Sequence, residues 1–214
     1  MSNGADFPPR SFPDPPAINY ALEYARGTKN VEAEMHLKRL QDRSNAYAAG
    51  YGTHVPLLAA VVATAPPGDV LELGAGHFST PLLSAMCKAM GRSLVTFEEK
   101  EEWLDNVRDL EAPHHSLQVA ADPYNWMPDV NSLTVERWAV IFVDHGRTNQ
   151  DRMAYLRALA NRADFIVCHD TCNTWFAGVD EVLDSFKFRF DYCFMTPVTT
   201  VVSNKYDVSA FGVQ

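Results

Sequence analysis

The sequence predicts an α/β protein built on a doubly wound, mostly parallel sheet. Three observations carry that prediction. Short apolar runs alternate with helical patterns from residue 69 onward, one run (Trp138 to Val143) is apolar without a break, and a Gly-Ala-Gly turn follows the first run. At 214 residues the chain has room for one such domain, assigned to 53–214. Residues 1–52 are assigned to an N-terminal proline-rich arm and helical extension.

The elements follow in order. Phe7 to Pro16 holds five prolines, which excludes helix and central strand, so this stretch is an extended arm. Ala17 to Ala49 is helical in pattern, with Val31, Met35 and Leu40 near one face and Glu34 four residues before Lys38. Gly50-Tyr51-Gly52 breaks it. Thr53 is positioned to cap a buried helix, His54 to Thr64, which Pro66-Pro67-Gly68 ends. Asp69 to Leu73 is the first strand. Thr80 followed by Pro81 marks the start of a helix running to Met90. Ser93 to Phe97 is a strand and Glu99 to Leu110 a helix with acids in its first turn. Ser116 to Ala121 is the third strand, Asp122 to Leu133 a loop, and Trp138 to Val143 the fourth strand. Thr148 and Asp151 resemble a capping box for a helix from Asp151 to Arg162. Asp164 to Cys168 is the fifth strand, Asp180 to Phe188 a helix, and Tyr192 to Ser203 two strand pieces meeting near Pro197.

Charge and composition remove several functions. The net charge of −9 argues against nucleic acid, whose phosphates need clustered Lys and Arg. The most apolar stretch, Val55 to Ala65, is too short to span a bilayer, and the first residues carry neither the basic nor the apolar part of a signal peptide. The four cysteines, at 87, 168, 172 and 193, form no C-x-x-C pair and fit free thiols in a reducing cytoplasm. A cytoplasmic location is therefore expected.

The chemistry is expected at the carboxyl end of the first strand. Gly74 and Gly76 let the backbone turn sharply and approach a ligand, with Glu72 just before them. Glu98, at the end of the next strand, is placed to accept hydrogen bonds from both hydroxyls of a ribose. The third glycine of a dinucleotide fingerprint is replaced by Ser79, which disfavours a pyrophosphate cofactor such as NAD.

At these residues the chain resembles a known family. ELGAGHFSTPLL (Glu72 to Leu83) is similar to motif I of the class I S-adenosylmethionine-dependent methyltransferases. TFEEKEEWL (Thr96 to Leu104) is similar to their ribose-binding segment, tryptophan included. FVDHGRTNQDR (Phe142 to Arg152) falls where the family often has an acid after strand four, and FIVCHDT (Phe165 to Thr171) matches a frequent His-Asp-Thr ending of strand five. The resemblance covers Thr53 to Ser203. It implies a seven-stranded sheet with an antiparallel last strand, assigned to Thr199–Ser203, and S-adenosylmethionine as cofactor.

By position, the resemblance implies that Gly74, Gly76 and Ser79 line the methionine part of the cofactor, with Glu72 near its amino group. Glu98 would hold the ribose, Asp122 the adenine amino group with Tyr124 or Trp126 as ring neighbours, and Asp144 the mouth beside the sulfonium. Methyl transfer asks for in-line alignment and, for oxygen nucleophiles, a base; Asp144, His145 and His169 are the catalytic candidates. Arg147 or Arg152 could bind a substrate carboxylate, with Asp170 beside them. Some small-molecule O-methyltransferases of this class bind a divalent cation through an Asp after strand four and an Asp-Asn pair after strand five. Asp144 matches the first position, but His169-Asp170-Thr171 departs from the pair, so a magnesium-type site is not favoured.

The acceptor is expected to be a small molecule with an O or N nucleophile. Tyr20, Tyr24, Tyr47 and Tyr51 fit either ordinary packing or part of a lid over a planar acceptor. An NAD-type oxidoreductase and a silent cofactor-binding or interaction module on the same fold are the two alternative functions.

Overall fold

A computed structural model describes residues 38, 51–145, 149–172 and 178–212. All but residue 38 fall in the unit 50–214. The expected arm and extension, with Tyr20, Tyr24 and Tyr47, lie outside the described residues, as do Gly146, Arg147 and Thr148.

The described chain runs α1 (Val55–Thr64), β1 (Val70–Leu73), α2 (Ser79–Met90), β2 (Leu94–Glu98), α3 (Glu101–Asp105), β3 (His115–Val119) and α4 (Met127–Ser132). It continues through β4 (Trp138–Val143), α5 (Asn149–Leu159), β5 (Ala163–Cys168), α6 (Val179–Leu183), β6 (Phe188–Tyr192) and β7 (Thr199–Ser203). The seven strands form one sheet in the order β3-β2-β1-β4-β5-β7-β6. The first five pair in parallel, and β7 runs antiparallel between β5 and β6, as expected for Thr199–Ser203.

Strand periodicity sorts the core into two layers. Leu71, Leu73, Ile141, Val143 and Ile166 face the side covered by α4, α5 and α6. Val70, Val140, Phe142 and Val167 face α1 and α2. Each fully buried large side chain in these layers contributes about 1.5–3 kcal/mol, which is why β1, β4 and β5 carry no exposed residue. Chain order reverses between β1 and β4, and the carboxyl ends of those strands are where such sheets bind ligands.

Several boundaries differ from the sequence-based expectation. The predicted helix Glu99 to Leu110 is interrupted, with α3 followed by a separate 3-10 turn at Arg108–Leu110. The predicted loop after β3 contains α4, a short helix with a proline in its first turn and Val130 as its buried anchor. Asp180 to Phe188 divides between α6 and the start of β6. Thr80 does not cap α2, which starts one residue earlier; its hydroxyl instead accepts the Gly76 N–H at 2.9 Å. Cys87 and Cys168 are buried and Cys193 is exposed, all of them free. Among the described residues no helix is long and apolar enough to cross a membrane.

Candidate active site

Gly74 sits at the topological switch with φ +102, a backbone region that L side chains avoid. A Cβ there would lie 2.7 Å from the Asp144 carbonyl oxygen. The glycine therefore allows the close approach of the β1 and β4 ends. Gly76 meets only the Ser79 hydroxyl, 3.1 Å from where its Cβ would be. Ser79 itself is buried in the first turn of α2.

Glu72 lies beneath this turn, fully buried. Thr96 Oγ1 donates to its Oε2 at 2.7 Å, and the Thr96 hydroxyl also meets His115 Nε2 at 3.0 Å. A buried polar row thus crosses β1, β2 and β3. Burial pushes the Glu72 carboxyl up to about 7, against the Ser79, Thr96 and Thr80 hydroxyls that favour its charged form. Its Oε1 has no hydrogen-bond partner.

Glu98 closes the turn from the β2 side. Its Oε2 accepts the Ala75 N–H at 3.0 Å, and its Oε1 accepts those of Glu99 and Lys100 at 3.0 and 3.1 Å. Burial raises its pKa while the three amides oppose the shift. The carboxylate is thereby fixed against the glycine turn, and Oε2 keeps acceptor capacity while Oε1 is filled by two amides. The rings of His77, after the glycine turn, and Trp103, in α3, meet at a tilt with centroids 5.4 Å apart.

The residues after β3 divide between surface and core. Asp122 is exposed and accepts the Tyr124 N–H at 2.9 Å, closing a local turn, while the Tyr124 ring is 74% exposed. Trp126 is only 2% exposed and belongs to the core, its ring 4.6 Å from that of His145.

The ends of β4 and β5 hold the densest polar cluster. Asp144 Oδ1 lies 3.1 Å from Arg152 Nη2 and 3.3 Å from His169 Nδ1. Burial disfavours the Asp144 carboxylate, but the His169 hydrogen bond and the charges of His169, Arg152 and His54 hold its pKa below the usual range. Burial likewise works against charge on His169, and Asp144 outweighs it, raising the imidazole's pKa. On the far side His169 Nε2 meets Thr53 Oγ1 at 2.9 Å, and Thr53 donates to the Pro197 carbonyl at 3.0 Å. Thr53 is thus a partner of His169 and makes no cap for α1.

His145, expected as a possible base, is a packing residue. Its ring is wedged between Trp126 and Tyr155, and burial pushes its pKa down to about 3, so it stays neutral. Arg152, expected to bind substrate, is engaged by the protein. Its Nε donates to the His145 carbonyl at 2.6 Å, and its Nη1 to the His169 carbonyl at 2.9 Å and to Asp170 Oδ2 at 3.3 Å. Asp170 takes a left-handed backbone (φ +58) to reach it. Tyr51 is exposed.

One residue of the cluster carried no sequence signal. His54 is buried at the start of α1, its ring 4.8 Å from Phe142 and edge-on to His169 at 4.7 Å. Neither of its ring nitrogens has a hydrogen-bond partner among the described residues. Burial pushes its pKa down to about 3. A histidine before an apolar run looks like any other helix start, and only the fold brings it to Asp144 and His169.

No protein-family model matches the chain, and no curated protein matches it in sequence. Solved structures do. A Corynebacterium glutamicum protein aligns over 89% of this chain and 98% of its own, with TM-score 0.56 and 15% identity. An O-methyltransferase from Bacillus cereus, solved in complex with SAH, aligns over 87% and 99% with TM-score 0.56 and 15% identity. The SAH-bound methyltransferase PaMTH1 of Podospora anserina aligns over 91% and 89%, with TM-score 0.51 and 14% identity. The chain has the class I methyltransferase fold.

Proposed function

We propose that this chain uses its class I methyltransferase fold to transfer a methyl group from S-adenosylmethionine to an O or N nucleophile of a small molecule. One observation carries the proposal. The glycine turn after β1 is bracketed by two buried carboxylates, Glu72 and Glu98, and ends against the Asp144–His169 pair. The solved neighbours with bound SAH support the choice of cofactor.

The residues fit that cofactor. The unpartnered Oε1 of Glu72 suits an amino group with N–H to donate, directly or through water, and such a charge would favour the ionised carboxylate. Glu98 Oε2 retains a lone pair for a ribose hydroxyl, its Oε1 being taken up by two backbone amides. S-adenosylmethionine supplies an activated methyl sulfonium when bound. Asp144 and His169 then orient the acceptor at the mouth and bear on the removal of its proton, while Glu72 and Glu98 hold the donor in line.

Two measurements test this. Calorimetry with S-adenosylhomocysteine should show one site per chain, and its absence removes the cofactor assignment. With an acceptor found by panel screening, Asp144→Asn should lower kcat at least tenfold with cofactor affinity nearly unchanged. Parallel losses in both would move Asp144 from the acceptor to the cofactor.

A further inference from the structure

We propose that His54, Asp144 and His169 form a binding site for a divalent transition-metal ion of the zinc class. Their donor atoms all lie within 4.8 Å of one another. Ligands around a zinc-class ion sit roughly 3–3.5 Å apart, given metal–ligand bonds of about 2.0–2.2 Å, so the widest pair would close by about 1.3–1.8 Å. The His169 Nδ1 to Asp144 Oδ1 distance is already 3.3 Å.

The hydrogen-bond inventory is compatible with a bound cation in place of one proton. The one hydrogen of Thr53 Oγ1 is committed to the Pro197 carbonyl, which can only accept. Thr53 therefore accepts from His169, whose Nε2 must carry hydrogen. His169 Nδ1 then faces the Asp144 carboxylate with either a proton or a bare lone pair, and a lone pair against a carboxylate oxygen is repulsive. A metal ion resolves that contact as a proton does. Thr53 becomes the outer partner that fixes the tautomer and aim of a ligating imidazole. His54 adds the independent observation, a ring only 2% exposed with no partner for either nitrogen.

The donor set selects the ion. Two imidazoles and one carboxylate suit zinc, cobalt or nickel, whereas magnesium prefers oxygen ligands. Arg152 and Asp170 flank the cluster with opposite charges, so Asp144 supplies the net negative charge that the ion meets. Three protein ligands leave a coordination position open, as in catalytic rather than structural sites. That the open position faces the methyl acceptor rests on the proposed function; ion binding itself does not.

The test uses the full-length chain, free of any affinity tag and stripped with chelator. Co2+ should bind at one per chain with visible d–d absorption and no thiolate charge-transfer band, and Zn2+ should compete for it. His54→Phe keeps an aromatic ring against Phe142 and removes the ligand; it should weaken Co2+ binding at least a hundredfold and abolish Zn2+-induced thermal stabilisation. His54→Gln serves the same purpose should the phenylalanine variant fail to fold. No saturable Co2+ binding to the unmodified chain, a thiolate band, equal affinity in a folded His54 variant, or tighter binding of Mg2+ than of Zn2+ would each overturn the site. S-adenosylhomocysteine calorimetry on the same samples, with and without ion, tells failure of the metal site from failure of the methyltransferase assignment.

Discussion

The Cβ that Gly74 lacks would stand 2.7 Å from the carbonyl oxygen of Asp144, so the turn after β1 and the acid after β4 are positioned by direct backbone contact. Gly74→Ala meets that oxygen and also imposes a side chain at φ +102. The expected cost is about 2–4 kcal/mol of folding stability, from strain and overpacking together. Urea denaturation checks it, and a loss under about 1 kcal/mol would mean that the two strand ends separate easily.

Glu98→Ala should weaken S-adenosylhomocysteine binding by about 1–3 kcal/mol, the loss expected for hydrogen bonds to a charged acceptor. The substitution also strands the Ala75, Glu99 and Lys100 amides, so affinity must be measured below the variant's own melting temperature. An unchanged affinity in calorimetry would take Glu98 out of the cofactor site.

Glu72 should impose a pH dependence on stability. Its carboxyl titrates near 7 in the folded chain, against an ordinary value of 4.5, because burial resists ionisation. Below pH 4.5 both states are protonated and the group is neutral in its effect. Between 4.5 and 7 the unfolded chain ionises first, so folding loses about 3 kcal/mol across the window and nothing further above it. Glu72→Gln should match the parent near pH 4.5 and exceed it in melting temperature at pH 8. A constant difference across that range would contradict the assignment.

Arg152→Met should destabilise the fold by about 3–5 kcal/mol, since it leaves the Asp144 charge and two strand-end carbonyls without their buried partner. Lysine should not rescue it, because one ammonium cannot reproduce the guanidinium fork. Denaturation midpoints of the two variants decide this, and a lysine variant at parental stability would argue against the fork.

The sheet was legible in the sequence because its signal is local. Trp138 to Val143 is apolar on both faces and emerges as β4 with the same limits, and Gly74 and Gly76 mark the switch point. Long-range partnerships were not legible. Arg152 looks like a surface cation on α5, yet it binds the ends of two strands. Thr53 looks like a cap, yet it serves His169 across the sheet edge. Trp126 sits in a polar stretch, and burial against His145 is decided by tertiary packing. His54 follows the same logic. The weak helix α4 escaped because a six-residue helix with a proline in its first turn has almost no periodicity to detect.

The guanidinium of Arg152 grips Asp144, Asp170 and the backbone of His145 and His169 at once. The ends of β4 and β5 are therefore tied together through one side chain. A single substitution at that position would release both strand ends together.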